Sequence, residues 1–174
     1  MEIADPDPLW PEAYEAVAAE VARALGPALR LVEHVGSTAV PGLPAKPVID
    51  VMAAVDALGE VPLPALRGLG FEPRVTGMRG RLFLRREARA GAPAVHLHVV
   101  TLDSFPRRKE RRFRDRLRLH PEEARAYGEL KRALASLHGD DMDAYTRAKT
   151  AFIQGALDRD ADERGVPREE AWED

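Results

Sequence analysis

HVGSTAVPGLPAKPVID, residues 34–50, joins a strand end, a loop and a strand start. The residues before it complete LRLVEHV (29–35), whose apolar and β-branched content predicts a strand. GSTAVPGLPAKP (36–47) holds three Pro and two Gly in twelve residues and reads as a loop. VIDVMAAV (48–55) is an apolar run interrupted by one carboxylate, Asp50, the pattern of a strand covered on both faces. Each residue type here has a chemical use. Gly36 tolerates unusual φ and lets another group approach the backbone closely. Ser37 and Thr38 offer hydroxyls and backbone N–H groups, the material of a phosphate-binding nest. Lys46 supplies a mobile positive charge. Asp50, inside a buried strand, is costly unless it is paired, hydrogen-bonded or on a metal. Spacing alone leaves a second reading equally open: an ordinary turn, with Asp50 accepting that turn's N–H groups.

Outward from this segment, residues 8–25 predict a helix, with Tyr14, Val17, Val21 and Leu25 on one stripe and Gly26-Pro27 as the stop. Residues 56–70 hold a short helix. FEPRV (71–75) and RLFLRRE (81–87) read as paired strands, and AVHLHVVT (94–101) as a third strong strand. The remainder turns helical over 106–119, 121–138 and 140–158, with Asp140 or Asp141 capping the last of these. One domain over 1–158, followed by a frayed charged tail at 159–174 that carries Trp172, accounts for the 174 residues. With strands first and helices last, the fold class is α/β (α+β), one sheet with flanking helices.

Composition removes several functions. There is no Cys, so no thiolate nucleophile and no Cys-ligated metal. The acidic start MEIADPDPLWPEAY lacks an apolar core and is not a signal peptide. No apolar run approaches the ~20 residues of a membrane span, and a soluble, cytoplasmic protein is expected. The net charge is −3, yet RRKERRFRDRLR (107–118) carries eight basic and two acidic groups. Such a run is read first as a solvated helix face. Its use on nucleic acid ranks last, because few aromatics interleave with it and the chain is acidic overall.

His96 and His98, two apart on a strand, share one face, while Val95, Leu97 and Val99 take the other. Placed near Asp50 they make a two-His-one-carboxylate metal set. The plainer alternative is one hydrogen-bonded histidine and one exposed. In 140–158, Met142, Tyr145, Lys149, Phe152 and Ala156 form a stripe, which turns Lys149 inward. Arg114 beside Phe113 offers a fork suited to phosphate. Lys131 lies at the edge of the stripe Tyr127, Leu130, Leu134 and Leu137. His34 orients the Gly-Ser loop.

The order strand, Gly-Ser, loop, strand with Asp resembles the signature of the nucleotidyltransferase superfamily. EHVGSTAVPGLPAKPVIDV (33–51), HLHVV (96–100), FRDRLRLHPEEARAYGELK (113–131) and YTRAKTAFI (145–153) together resemble the GrpB family, some members of which are fused to dephospho-CoA kinase. The resemblance implies a nucleotidyltransferase-like fold with one mixed sheet and a helical C-terminal third. With the residues read above, one expectation is a nucleotide or other phosphorylated small molecule as ligand, held by Gly36, Ser37, Thr38, Lys46, Arg114, Lys131, Tyr145 and Lys149. The same reading places a divalent metal (magnesium, manganese or zinc) on Asp50, His96 and His98, with Asp50 and His98 as catalytic groups. The chain departs from the superfamily where two carboxylates should stand two residues apart, because Val48 and Met52 flank Asp50. The alternative is therefore a non-catalytic ligand-binding or protein-interaction domain that lost two-metal chemistry.

Overall fold

The structure is a computed structural model, and it describes residues 2–139 and 141–171. Trp172 and Asp140 lie outside the described residues. Helix α1 (Trp10–Leu25) leads into β1 (Leu29–Val35), then β2 (Val48–Val55), a short α2 (Leu63–Gly68), β3 (Glu72–Pro73), β4 (Arg81–Arg86) and β5 (Ala94–Thr101). Helices α3 (Lys109–Leu119), α4 (Pro121–His138) and α5 (Met142–Arg164) close the chain. The five strands form one sheet in the order β1-β2-β5-β4-β3. Strands β2 and β5 are parallel, and the other pairs are antiparallel.

The alternation of β2 explains its continuous apolar run. Ile49, Val51, Ala53 and Val55 enter the core under α1 and α2, with Val95, Leu97 and Val99 from β5 beside them. Met52 and Ala54 enter a second cluster with Val35, Val100 and Phe105. Both faces are covered, so both sets of positions are apolar. Asp50 is the polar exception. On α1, Val17, Val21 and Leu25 are buried as the stripe predicts, and Trp10 joins them.

Three expectations change. The basic run is not a solvated face, because Arg112, Arg114 and Arg116 are buried in α3. The stripe on α4 ends before Leu137, which is 75% exposed, while Lys131, expected at its edge, is 2% exposed. Helix α5 does not fray at 158. It runs to Arg164 with Ala161 fully buried, and Gly165 in the left-handed region ends it. Asp160 pairs there with Arg112 at 2.8 Å, and this tertiary partner holds a charged segment whose own pattern carries no strong helical stripe. Asp141 caps α5, its Oδ1 accepting from the Ala144 N–H at 3.0 Å.

Candidate functional site

Parallel pairing of β2 with β5 sets Asp50 opposite His96 and Met52 opposite His98. Asp50, His96 and His98 therefore meet on one face of the sheet, as the His-x-His spacing requires. His96 Nδ1 lies 3.3 Å from Asp50 Oδ1, and His98 Nε2 lies 3.9 Å from the same oxygen. Burial by itself raises the Asp50 pKa. The two histidines beside it outweigh that and lower it to about 2. The carboxylate is thus ionised and acts only as an acceptor.

Gly36 makes room for this carboxylate. Its φ is +75, and a Cβ built there meets Asp50 Oδ2 at 2.3 Å. The group that approaches the glycine closely is the protein's own aspartate. The turn beyond it, Ser37–Ala39, is braced from inside. The Thr38 hydroxyl donates to the Val48 carbonyl at 3.1 Å, so it accepts from His34 Nε2 at 2.9 Å. His34 stacks on Tyr14 with ring centroids 4.6 Å apart. Burial, with the charges of Arg118 and Arg114, lowers the His34 pKa to about 4 against the pull of Asp50, so His34 is neutral near pH 7.

His98 is held from behind. Arg81 Nη1 is 3.2 Å from His98 Nδ1 and 2.6 Å from Glu110 Oε1. A guanidinium only donates, so His98 Nδ1 accepts and Nε2 carries the proton that faces Asp50. Arg81 and Glu110 were not legible as site residues. Their roles depend on the β4–β5 register and on where α3 crosses, and no local spacing encodes either.

Ser37, Thr38, Lys46, Asp50 and His96 line a cleft of about 240 Å³, closed from the helical side by Lys131, Tyr145 and Lys149. Lys46 and Lys149 each place their ammonium 4.3 Å from the centroid of the Tyr145 ring. Lys46 Nζ also lies 3.2 Å from the Met142 sulfur. Lys131 Nζ sits 4.8 Å from the Tyr127 ring and finds no hydrogen-bond acceptor among the described residues. Burial, together with the charges of Lys149, Lys46 and Arg132, lowers its pKa to about 7 against the pull of Asp50. Burial and Lys46 lower Lys149 to about 8, again against Asp50. Burial also pushes Tyr145 up to about 12. A depression of about 690 Å³ between the 40–44 segment and α3–α4 is larger, but it holds no such orphaned cation. Polar chemistry, not volume, singles out the cleft.

Of the residues expected here, Arg114 is placed elsewhere. It pairs with Glu33 at 2.8 Å and Asp115 at 2.7 Å, and it donates to the His34 carbonyl at 2.7 Å. It holds β1 in place and is not among the residues lining the cleft.

The resemblance to nucleotidyltransferases implies a divalent metal, and the donor set can be tested against it. A pair of magnesium ions needs several carboxylates. Here Asp50 is the only one on its strand, flanked by Val48 and Met52. A single ion on two histidines and one carboxylate needs free imidazole lone pairs. His98 gives its lone pair to Arg81 and turns its N–H toward Asp50. Among the described residues, the one trio of His, Asp or Glu whose donor atoms all lie within 4.8 Å of one another is His120, Glu122 and Glu123. Glu123 there is already committed to Arg116 and Arg159. Asp50, His96 and His98 as arranged do not fit a metal pair or a closed single-ion site. Among the described residues, no helix is long and apolar enough to cross a membrane.

Known proteins carry the same architecture. The crystal structure of GrpB from Enterococcus faecalis superposes with a TM-score of 0.84 at 32% identity, covering 94% of this chain and 99% of that one. Terminal uridylyl transferase 4 from Trypanosoma brucei with bound dUTP superposes with a TM-score of 0.57 at 17% identity, over 89% of this chain and 55% of the other. That likeness establishes a nucleotidyltransferase-like fold. A UPF0157 protein of Pseudomonas aeruginosa is 38% identical over 169 residues, covering 91% of this chain and 67% of the relative. The family profile described as GrpB protein matches residues 1–159. With the Gly36–Asp50 unit and the His96–His98 strand joined on this fold, the chain belongs to the GrpB family.

Proposed function

We propose that the cleft beside Asp50 binds the phosphate end of a nucleotide or another phosphorylated small molecule. One observation carries this reading: the Lys131 ammonium is buried without a hydrogen-bond acceptor, next to the cations of Lys149 and Lys46. A buried cation without an acceptor is costly, and an anion entering the cleft removes that cost. Ser37 and Tyr145 line the same cleft. The space of about 240 Å³ equals roughly eight water volumes, enough for a short phosphate chain with the rest of the ligand at the mouth. The same fold carries dUTP in the T. brucei transferase, which supports a nucleotide as the ligand class.

A second reading, a ligand-binding domain without catalysis, is favoured by Val48 and Met52 at the positions flanking Asp50. Both readings share the binding step. A thermal-shift series with pyrophosphate, nucleoside triphosphates and coenzyme A precursors, each with and without magnesium, manganese or zinc, tests it. A ligand at ~100 times its Kd adds about 2.7 kcal/mol of stability. The expected result is a shift in the parent protein that is lost in Lys131→Met. A flat response across the series overturns the proposal.

A further inference from the structure

Asp50 stands where a metal ligand is expected, and its Oδ1 lies within reach of the His96 imidazole. An ionised carboxylate has no proton to give, so a neutral His96 ring places its one N–H on Nδ1, the nitrogen facing Asp50 at 3.3 Å, and its lone pair on Nε2. Among the described residues no protein group takes that nitrogen: the ring meets Asp50 and the edge-on Phe83, 5.3 Å between centroids. The His96 side chain is 30% exposed and forms part of the cleft wall that Lys46, Lys131 and Lys149 share. His98 is in the opposite state. It is 10% exposed, and both its nitrogens face protein groups, Arg81 on one side and Asp50 on the other. The Arg81–Glu110 pair stands behind His98, whose Nε2 lies 3.9 Å from the Asp50 oxygen nearest His96.

We propose that His96 Nε2 is a nucleophile toward phosphorus, and that the site transfers a phosphoryl or nucleotidyl group through a histidine-bound intermediate instead of through a metal pair. This rests on the reading of the cleft as a phosphate site, with a phosphoanhydride as donor. The Nε2 lone pair forms a P–N bond while the bond from phosphorus to the bridging oxygen breaks. The electron pair of that bond leaves on the released phosphate, whose charge the lysine ammoniums offset. The proton on Nδ1 stays there, and Asp50 stabilises the ring's positive charge. In the second step an acceptor hydroxyl, water in the simplest case, attacks the same phosphorus. The P–N electron pair returns to Nε2, and the hydroxyl proton passes to solvent. For attack at the γ phosphorus the balance is one triphosphate and one hydroxyl giving one phosphomonoester (inorganic phosphate for water) and one nucleoside diphosphate; for attack at the α phosphorus it is one phosphodiester (the nucleoside monophosphate for water) and one pyrophosphate, with no oxidant or reductant in either case.

The test uses the full chain with nucleoside triphosphates labelled at the α or the γ phosphorus, in parallel arms with a chelator and with magnesium. Protein-bound label is measured after an alkaline denaturing quench. The expected result is label that survives alkali and is lost in acid, as a phosphoramidate is. It is absent in His96→Asn and His96→Gln and retained in His120→Asn, which lies outside the cleft. The labelled position tells which phosphorus is taken. Label that persists in His96→Asn overturns the proposal. So does absence of label in both arms when the same triphosphates still shift the melting of parent and His96→Asn, and in that case the binding reading stands. If no triphosphate or pyrophosphate shifts the parent, the binding reading fails and this inference fails with it.

Discussion

Helix α3 and the cleft beside Asp50 both concentrate positive charge, and they satisfy it in different ways. In α3, Arg111 is held by Glu33, Arg112 by Asp160, Arg114 by Glu33 and Asp115, and Arg116 by Glu123 and Glu163. Arg118 donates to the Ala39 carbonyl. These guanidiniums tie the helix to β1, the Gly-Ser loop, α4 and α5. In the cleft the cations are lysines, their contacts are aromatic rings and a sulfur, and Lys131 has no acceptor at all among the described residues. Paired cations build the scaffold, and the cleft lysines are the ones proposed to meet a ligand. Charge density along the sequence does not separate the two cases; the partners do.

The contrast predicts opposite responses to mutation. The largest effect is expected in α3. Arg116→Met leaves the carboxylate of Glu123, which is 16% exposed, and that of Glu163 without their main partner. A loss of about 3 kcal/mol in urea unfolding is expected, with pyrophosphate affinity unchanged once the protein is folded. If affinity falls with stability, α3 belongs to the site and the contrast fails.

Gly36→Ala is expected to cost about 2–3 kcal/mol, because it combines a positive φ with a Cβ placed on Asp50 Oδ2. It also displaces the carboxylate from His96, so ligand response falls along with stability. A variant that is destabilised but binds normally would show that Asp50 is structural alone.

Lys131→Met reverses the α3 pattern. Removing a buried cation without an acceptor is expected to stabilise the free protein by about 1–2 kcal/mol at pH 7, while pyrophosphate affinity falls roughly tenfold. Calorimetric titration and thermal melting separate the two effects. Loss of stability would mean that the Tyr127 contact outweighs the burial cost.

The smallest effect is a pH dependence. Lys131 titrates at about 7 in the free fold and near 10.5 when unfolded. Between these values the unfolded chain binds more protons, so stability rises with pH across that window. Sulfate, which does not titrate in this range, is expected to bind most tightly below about pH 7. It weakens as Lys131 and then Lys149, at about 8, lose their protons. Lys131→Met should remove the lower step and leave the upper one. A pH-independent sulfate affinity would separate these lysines from anion binding.

Much of the frame was legible. Strands β1, β2 and β5 and helix α4 appear where periodicity and the Gly and Pro signals put them, because each element buries a face that its own residues specify. Gly36, Ser37, Asp50 and the His-x-His pair were visible as chemistry because loops and buried strands rarely hold such groups without a reason. Other features were not legible. Leu137 fits the α4 stripe yet faces solvent, since no element packs over that turn. Arg114 looks like a phosphate fork until Glu33 and the His34 carbonyl are seen to occupy it. Residues 159–164 look like a frayed tail until Asp160 meets Arg112.

By itself the sequence determined the elements, the two-faced burial of β2, and a Gly-Ser loop leading to a single buried carboxylate. Local pattern suffices there, because helix and strand periods and the conformational demands of Gly and Pro act over a few residues. Only the tertiary structure decided which cations are spent on the scaffold and which line the cleft. It alone put His96 beside Asp50, with Nδ1 toward the carboxylate, and set His98 against Arg81. Those outcomes depend on strand register and helix crossing, which bring together groups dozens of residues apart, and a charge has no role until its partner is known.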